Sequence, residues 1–173
     1  MVHAAESPEE VAFLARGEGP LREVYGRFAK TPWTPPGTTP VRHLHALGVL
    51  GPTTLLVHGV QVDEEEVGLL AETGTKVVLC PRSNANLEVG EAPLALYAKH
   101  GVELALGTDS RGSSPDLDVK NEARFLWGRA EPRLLVRALT RGGYRALGLP
   151  TPRLTRATPR SLVPFTRCGG LLH

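Results

Sequence analysis

Aromatic residues make up only 5% of this 173-residue chain, cysteine occurs twice, and no long hydrophobic run is present. Each shortage excludes something. Nucleic-acid grooves combine clustered basic residues with stacking aromatics. Here the basic residues are scattered and the net charge is only +2, so no nucleic-acid partner is expected. No apolar stretch has the length of a bilayer span and no secretory leader pattern is evident, so no membrane association is expected. Cys80 and Cys168 do not make a disulfide framework, which points to a reducing cytoplasm. What is present suits one soluble globular unit: 41% hydrophobic and 22% charged residues, on a chain long enough for a sizeable core.

Strand-like and helix-like patterns alternate along the chain. VHAA (2–5) is a short apolar piece. SPEEVAFLARG (7–17) reads as a helix, with Ser7 at the cap, Pro8 in first position and Glu9 and Glu10 in the first turn. Further helices are expected over 21–29, 41–50, 63–74 (capped by Asp63), 91–101, 116–130 and 131–149. TTLLVHG (53–59), TKVVLC (75–80) and VELALG (102–107) read as strands. Their near-continuous apolar character suits a parallel sheet buried on both faces, and the alternation suits βα units. The Pro- and Arg-rich residues 150–173 are expected to be irregular or β.

Polar residues stand at the C-terminal ends of these strands: His3 with Glu6 three residues later, His58, the run Cys80-Pro81-Arg82-Ser83-Asn84, and Asp109. Parallel α/β folds place ligand and catalytic groups at that end of the sheet. Histidine and carboxylate together suit a borderline divalent metal such as zinc. Taken singly, each residue has a bland account: His3 an exposed terminal residue, Glu6 a helix-dipole charge, His58 a core histidine, Asp109 a cap. Taken together, their common place at one end of consecutive strands favours a site. His43-Leu44-His45 has a metal-binding spacing only on a strand. It lies in a helical pattern, where i and i+2 do not face each other. Cys80 as a nucleophile lacks a nearby histidine in sequence and is better read as a buried thiol.

The motifs HAAES, VHGV, CPRSN and LGTDS occur in that order over residues 1–150. This string closely resembles the amidohydrolase superfamily, in the branch of cytosine, guanine, S-adenosylhomocysteine and aminodeoxyfutalosine deaminases and triazine chlorohydrolases. The resemblance implies an α/β fold, the C-terminal half (strands five to eight with their helices) of a (β/α)8 TIM-type barrel, over residues 1–149, with 150–173 as a C-terminal extension. It implies His3 and Asp109 as ligands of one zinc or iron ion, and Glu6, His58 and Asp109 as catalytic residues. Ser83, Asn84 and Ser110 would line the substrate side. The expected reaction is deamination of an aminopurine or similar small nitrogen heterocycle, with water acidified by the metal, held by Asp109 and His58, and Glu6 relaying the proton.

The first-strand H-x-H of that family has no counterpart here, so activity is expected only when an N-terminal half completes the barrel. The competing expectation is an inactive half-barrel that self-associates; a hydrolase using Cys80 as nucleophile is a third. A half-barrel would open edges at Val2–Ala5 and Val102–Leu106, each a template for pairing with another chain, so a homo-oligomer is expected, most simply a two-fold dimer.

Overall fold

A computed structural model of the chain describes residues 1–151. Almost all of the expected C-terminal extension, residues 152–173, lies outside the described residues. Four strands, β1 (Val2–Ala4), β2 (Leu55–His58), β3 (Lys76–Leu79) and β4 (Leu104–Leu106), form one sheet in the order β1-β2-β3-β4. Every pairing is parallel, with Ala4 opposite His58, Val57 opposite Val78 and Leu79 opposite Leu106. Each strand bonds to its sequence neighbour, so every connection is a crossover and all C-terminal ends lie along one edge.

The helices follow from local chemistry. α1 (Pro8–Arg16) starts at Ser7, whose hydroxyl accepts the Glu10 amide, and ends at Gly17 in the left-handed region. α2 (Pro20–Phe28) and α3 (Pro40–Ala46) each begin with proline in the first turn. α3 carries His43 and His45, so that pair does lie on a helix. α4 (Glu64–Thr73) opens with a reciprocal capping box between Asp63 and Glu66.

Beyond β3 the expectations need correcting. The CPRSN run stands at the end of β3 as expected, but it also enters a helix that was not expected: Pro81 starts α5 (Pro81–Asn86), because proline is preorganised for a first helical turn. After α6 (Leu94–His100), the helix expected over 116–130 shortens to α7 (Val119–Phe125), whose N-cap Asp118 accepts the Lys120 amide. The helix expected over 131–149 divides into α8 (Pro132–Arg137), a π-helical segment (Ala138–Gly142) and α9 (Gly143–Ala146).

The core joins sheet and helices through Leu56, Val77, Leu79 and Leu104 with Val67, Leu70, Tyr97 and Leu135. The β4 edge is not open as expected. Val102, Leu104, Ala105 and Leu106 are all buried. The Val77 amide bonds to the Glu103 carbonyl and the Gly107 amide to the Leu79 carbonyl. Strand alternation therefore turns the Leu104 carbonyl away from β3, and Gly142 backs directly onto it. At the other edge, His3 of β1 is exposed.

Candidate active site

The strand ends are shaped by an uncommon backbone. Ala5, His58 and Asp109 have φ of 53°, 75° and 58°, the left-handed region that few residues other than glycine enter. Ala5 follows β1, His58 closes β2 and Asp109 lies three residues past β4, and each is held by specific bonds. The Ala5 carbonyl accepts the amides of Val60 (2.7 Å) and Gln61 (2.8 Å), which ties β1 to the β2 exit. The Glu6 amide donates to Glu10 Oε2 at 2.8 Å, so the first turn of α1 reaches back to fix the residue before its own cap. Burial pushes the Glu10 carboxyl up, and the Glu6 and Ala5 amides oppose that shift.

His58 is 1% exposed. Its Nδ1 lies 2.8 Å from Asn84 Oδ1. A carbonyl oxygen only accepts, so Nδ1 carries a hydrogen and Nε2 is the ring nitrogen left for other partners. That Nε2 stands 3.6 Å from Glu6 Oε1, on a glutamate side chain 28% exposed. The next residue, Gly59, gives its carbonyl to the buried Tyr97 hydroxyl at 2.6 Å.

Asp109 Oδ2 accepts two hydroxyls, Ser83 at 2.7 Å and Ser113 at 2.8 Å. Burial opposes ionisation of Asp109, but these hydroxyls, the Ser110 amide and nearby His58 outweigh it and hold the carboxyl below its ordinary range. Cys80, at the end of β3, is different. Burial, then the charges of Asp109 and Glu122, push its thiol up to about 12, so it is no activated nucleophile at neutral pH.

One donor atom each from Glu6, His58 and Asp109 lie within 4.8 Å of one another. With Nδ1 of His58 already committed to Asn84, what this group offers is Nε2 and two carboxylates. Acceptors gathered without a donor are stable only with a proton or cation among them. Imidazole and carboxylate are donors that fit zinc or ferrous iron, and the ring of His3, 5.3 Å from that of His58, stands next to them.

The expected site residues therefore divide. Glu6, His58 and Asp109 come together. His3, expected as a ligand with Asp109, is exposed and outside this group, although its ring centroid is 5.3 Å from that of His58. Ser83 and Asn84, expected on the substrate side, are buried; their hydrogen bonds put them behind Asp109 and His58. Ser110 is exposed and accepts the Gly112 amide. Sequence reasoning missed Glu10, Ser113 and Tyr97. The Ser7-x-x-Glu10 spacing carried a capping signal for the first; nothing in the spacing marked the other two.

The sequence profile of the Amidohydrolase family matches residues 1–152. The chain is 42% identical over 171 residues to the aminodeoxyfutalosine deaminase of Deinococcus radiodurans, covering 90% of this chain and 40% of that protein. It is 36% identical over 149 residues to a 5-methylthioadenosine/S-adenosylhomocysteine deaminase of Syntrophobacter fumaroxidans, covering 80% of this chain and 32% of that protein. Among solved structures it is similar to an adenosine deaminase from Xanthomonas campestris with bound zinc, with a TM-score of 0.66 and 31% identity, over 84% of this chain and 31% of that one. An atrazine chlorohydrolase from Arthrobacter aurescens, complexed with zinc, shares the fold at a TM-score of 0.68 and 22% identity, over 86% of this chain and 31% of that one. The chain thus spans well under half the length of these relatives.

Proposed function

The chain belongs to the amidohydrolase family, and from that premise we propose that it carries the catalytic part of a metal-dependent deaminase of an aminopurine or similar nitrogen heterocycle. The observation that carries the reading is the convergence of Glu6, His58 and Asp109 within 4.8 Å at the C-terminal edge of a parallel sheet. The names of the similar deaminases support the substrate class. In this reading residues 1–149 are the C-terminal half of a (β/α)8 barrel, working in the cytoplasm.

Deamination adds water at an amidine-like ring carbon: a C–O bond forms, the C–N bond breaks and ammonia leaves. Asp109 would hold a zinc or iron ion together with His3, which lies outside the three-residue cluster but whose ring centroid is 5.3 Å from that of His58; Glu6 and His58 would stand beside the ion rather than ligate it. Such an ion, when bound, supplies the Lewis acidity that acidifies water near neutral pH. Asp109, fixed by Ser83 and Ser113, orients that water and takes its proton. His58 accepts a hydrogen bond at Nε2, because Asn84 holds the hydrogen on Nδ1. Of the two protons of the added water, Glu6, with part of its side chain exposed at the rim, carries one to the ring nitrogen and Asp109 passes the one it takes to the leaving amine, so both carboxylates end as they began. Ser110, exposed beside Asp109, faces the substrate side.

The test is ammonia release from aminopurine nucleosides by the chain completed with the N-terminal part of a relative's barrel. Asp109→Ala removes turnover; activity within about tenfold of the parent, less than a general acid–base contribution, would overturn the reading. Glu6→Gln slows turnover by about 10²–10⁴ with metal content intact. Loss of metal in that variant makes Glu6 a ligand rather than the proton carrier.

We also propose that the β1 edge, where His3 is exposed, pairs with another chain, either a second copy or one bearing the remaining strands. Sedimentation equilibrium at micromolar concentration is expected to show a dimer. A monomer under those conditions removes the second copy from this proposal.

A further inference from the structure

We propose that Arg82, clamped by Asp116 and Glu122, is a positioning residue that aims Ser83 at Asp109 and Asn84 at His58. Its consequence for turnover rests on the deaminase reading; its geometry does not.

Three consecutive residues of α5 point to three different partners. Arg82 reaches Asp116 and Glu122, Ser83 reaches Asp109, and Asn84 reaches His58. α5 cannot orient them unaided. It has six residues, and its N-cap, Cys80, makes no side-chain capping bond; so short a helix has little stability of its own. The missing constraint comes from α7. The Arg82 amide donates to Glu122 Oε2 at 3.0 Å. The guanidinium donates through both Nη atoms to the two oxygens of Asp116, each at 2.9 Å, and Nη1 lies 3.6 Å from Glu122 Oε1. Asp116 in turn accepts the Asp118 amide (2.9 Å) and Asn121 Nδ2 (3.0 Å), so it is seated at the start of α7. The clamp joins the turn bearing Ser83 and Asn84 to the far side of the loop bearing Asp109 and Ser113.

Stability alone is a poor reason for this arrangement. Glu122 is fully buried, and its Oε1 has no hydrogen-bond partner. A buried carboxylate with an incomplete shell is costly, and apolar side chains of similar volume would join α5 to α7 at least as firmly. They would not fix direction. A two-pronged guanidinium–carboxylate pair sets the plane and the angle of approach, and that orientation passes to the next two residues.

The test reads His58 directly in the full 173-residue chain, without metal or substrate. Long-range proton–nitrogen spectra of histidine-labelled protein, followed with pH until the ring signals no longer change, distinguish the two tautomers of the neutral ring. The parent chain is expected to show His58 with its hydrogen on Nδ1, and Asn84→Ala to lose that preference. Arg82→Lys keeps the charge but not the fork. It is expected to retain the parent's circular dichroism while the ratio of Nδ1–H to Nε2–H falls about tenfold, the size of one lost hydrogen bond. Asp116→Asn is expected to act in the same direction. A folded Arg82→Lys with the parent's His58 spectrum overturns the proposal. So does unfolding of both variants, which would make the trio a support of the fold rather than of the site. Failure of the deaminase reading leaves these spectra unchanged, so the two failures are distinguishable.

Discussion

Adjacent glycines at the start of α9 give a prediction with opposite signs. Gly142 and Gly143 share nearly the same helical backbone, φ −59° with ψ −45° and −46°. Glycine in a helix is about 1 kcal/mol less favourable than alanine, so propensity alone favours alanine at both. Their surroundings differ. A Cβ at Gly143 meets nothing within 4 Å. A Cβ at Gly142 overlaps the Leu104 carbonyl oxygen and lies 3.1 Å from its carbon and 3.3 Å from the Ala105 Cα. These are backbone atoms of β4 and cannot rotate away. The π-helical segment would have to back off the strand, disturbing Ala138 and Leu135 in the core. Overpacking costs about 1–3 kcal/mol, and a collision with backbone belongs at the upper end. Gly143→Ala is therefore expected to stabilise by about 0.5–1 kcal/mol and Gly142→Ala to destabilise by about 2 kcal/mol after the propensity gain. Urea unfolding of the two variants and the parent measures both. A Gly142→Ala midpoint at or above the parent's refutes the close approach of the segment to β4.

Three other outcomes follow from the geometry. Tyr97→Phe keeps the ring's packing but leaves the buried Gly59 carbonyl without its 2.6 Å donor; a loss of about 1–3 kcal/mol is expected in urea melts, and an unchanged midpoint contradicts it. Cys80, with its thiol pushed up to about 12, is expected to resist alkylation at neutral pH until the chain unfolds, as read by peptide mapping; rapid labelling of native protein at Cys80 contradicts it. Glu103 is opposed by burial but held below the ordinary glutamate value by Arg137 and Arg145. Its stabilisation is present above the unfolded value of about 4.3 and lost as pH falls through the lowered folded value. The stability gap between the parent and Glu103→Gln should thus shrink in acid; a gap independent of pH would show that the two arginines do not act through the ionised carboxylate.

The difference between what was legible in the sequence and what was not has a physical pattern. β2, β3 and β4 were legible because a strand buried on both faces is a short apolar run. Glu6, His58 and Asp109 were legible because polar groups stand where such runs stop and because the motifs HAAES, VHGV and LGTDS carry the family resemblance. α5 was not, because Pro81 after a strand is as compatible with a turn as with a helix. Residues 131–149 were legible as helical, but not the π-helical segment within them, which lets Gly142 lie on β4. Glu122 looks like an ordinary helix-surface glutamate until the fold turns it inward.

The residues that brace the strand ends share a task that explains why they exist. The left-handed backbone at Ala5, His58 and Asp109 costs on the order of 1–3 kcal/mol at each position, and it persists only where neighbours over-determine it. At Ala5 the neighbours are the Val60 and Gln61 amides, with Glu10 holding the next residue. At His58 they are Asn84 and the Tyr97–Gly59 bond. At Asp109 they are the hydroxyls of Ser83 and Ser113. Asn84, Ser83 and Tyr97 come from a different loop or helix than the residue they support, whereas Glu10 and Ser113 each lie four residues on from the residue they hold. For Tyr97 and Ser113 the sequence positions carry no spacing signal relative to the strand ends. The candidate site residues stand out along the chain where apolar runs end; what Ser83 and Asn84 hold, and that Tyr97 and Ser113 hold anything, follows only from the three-dimensional closure of the loops.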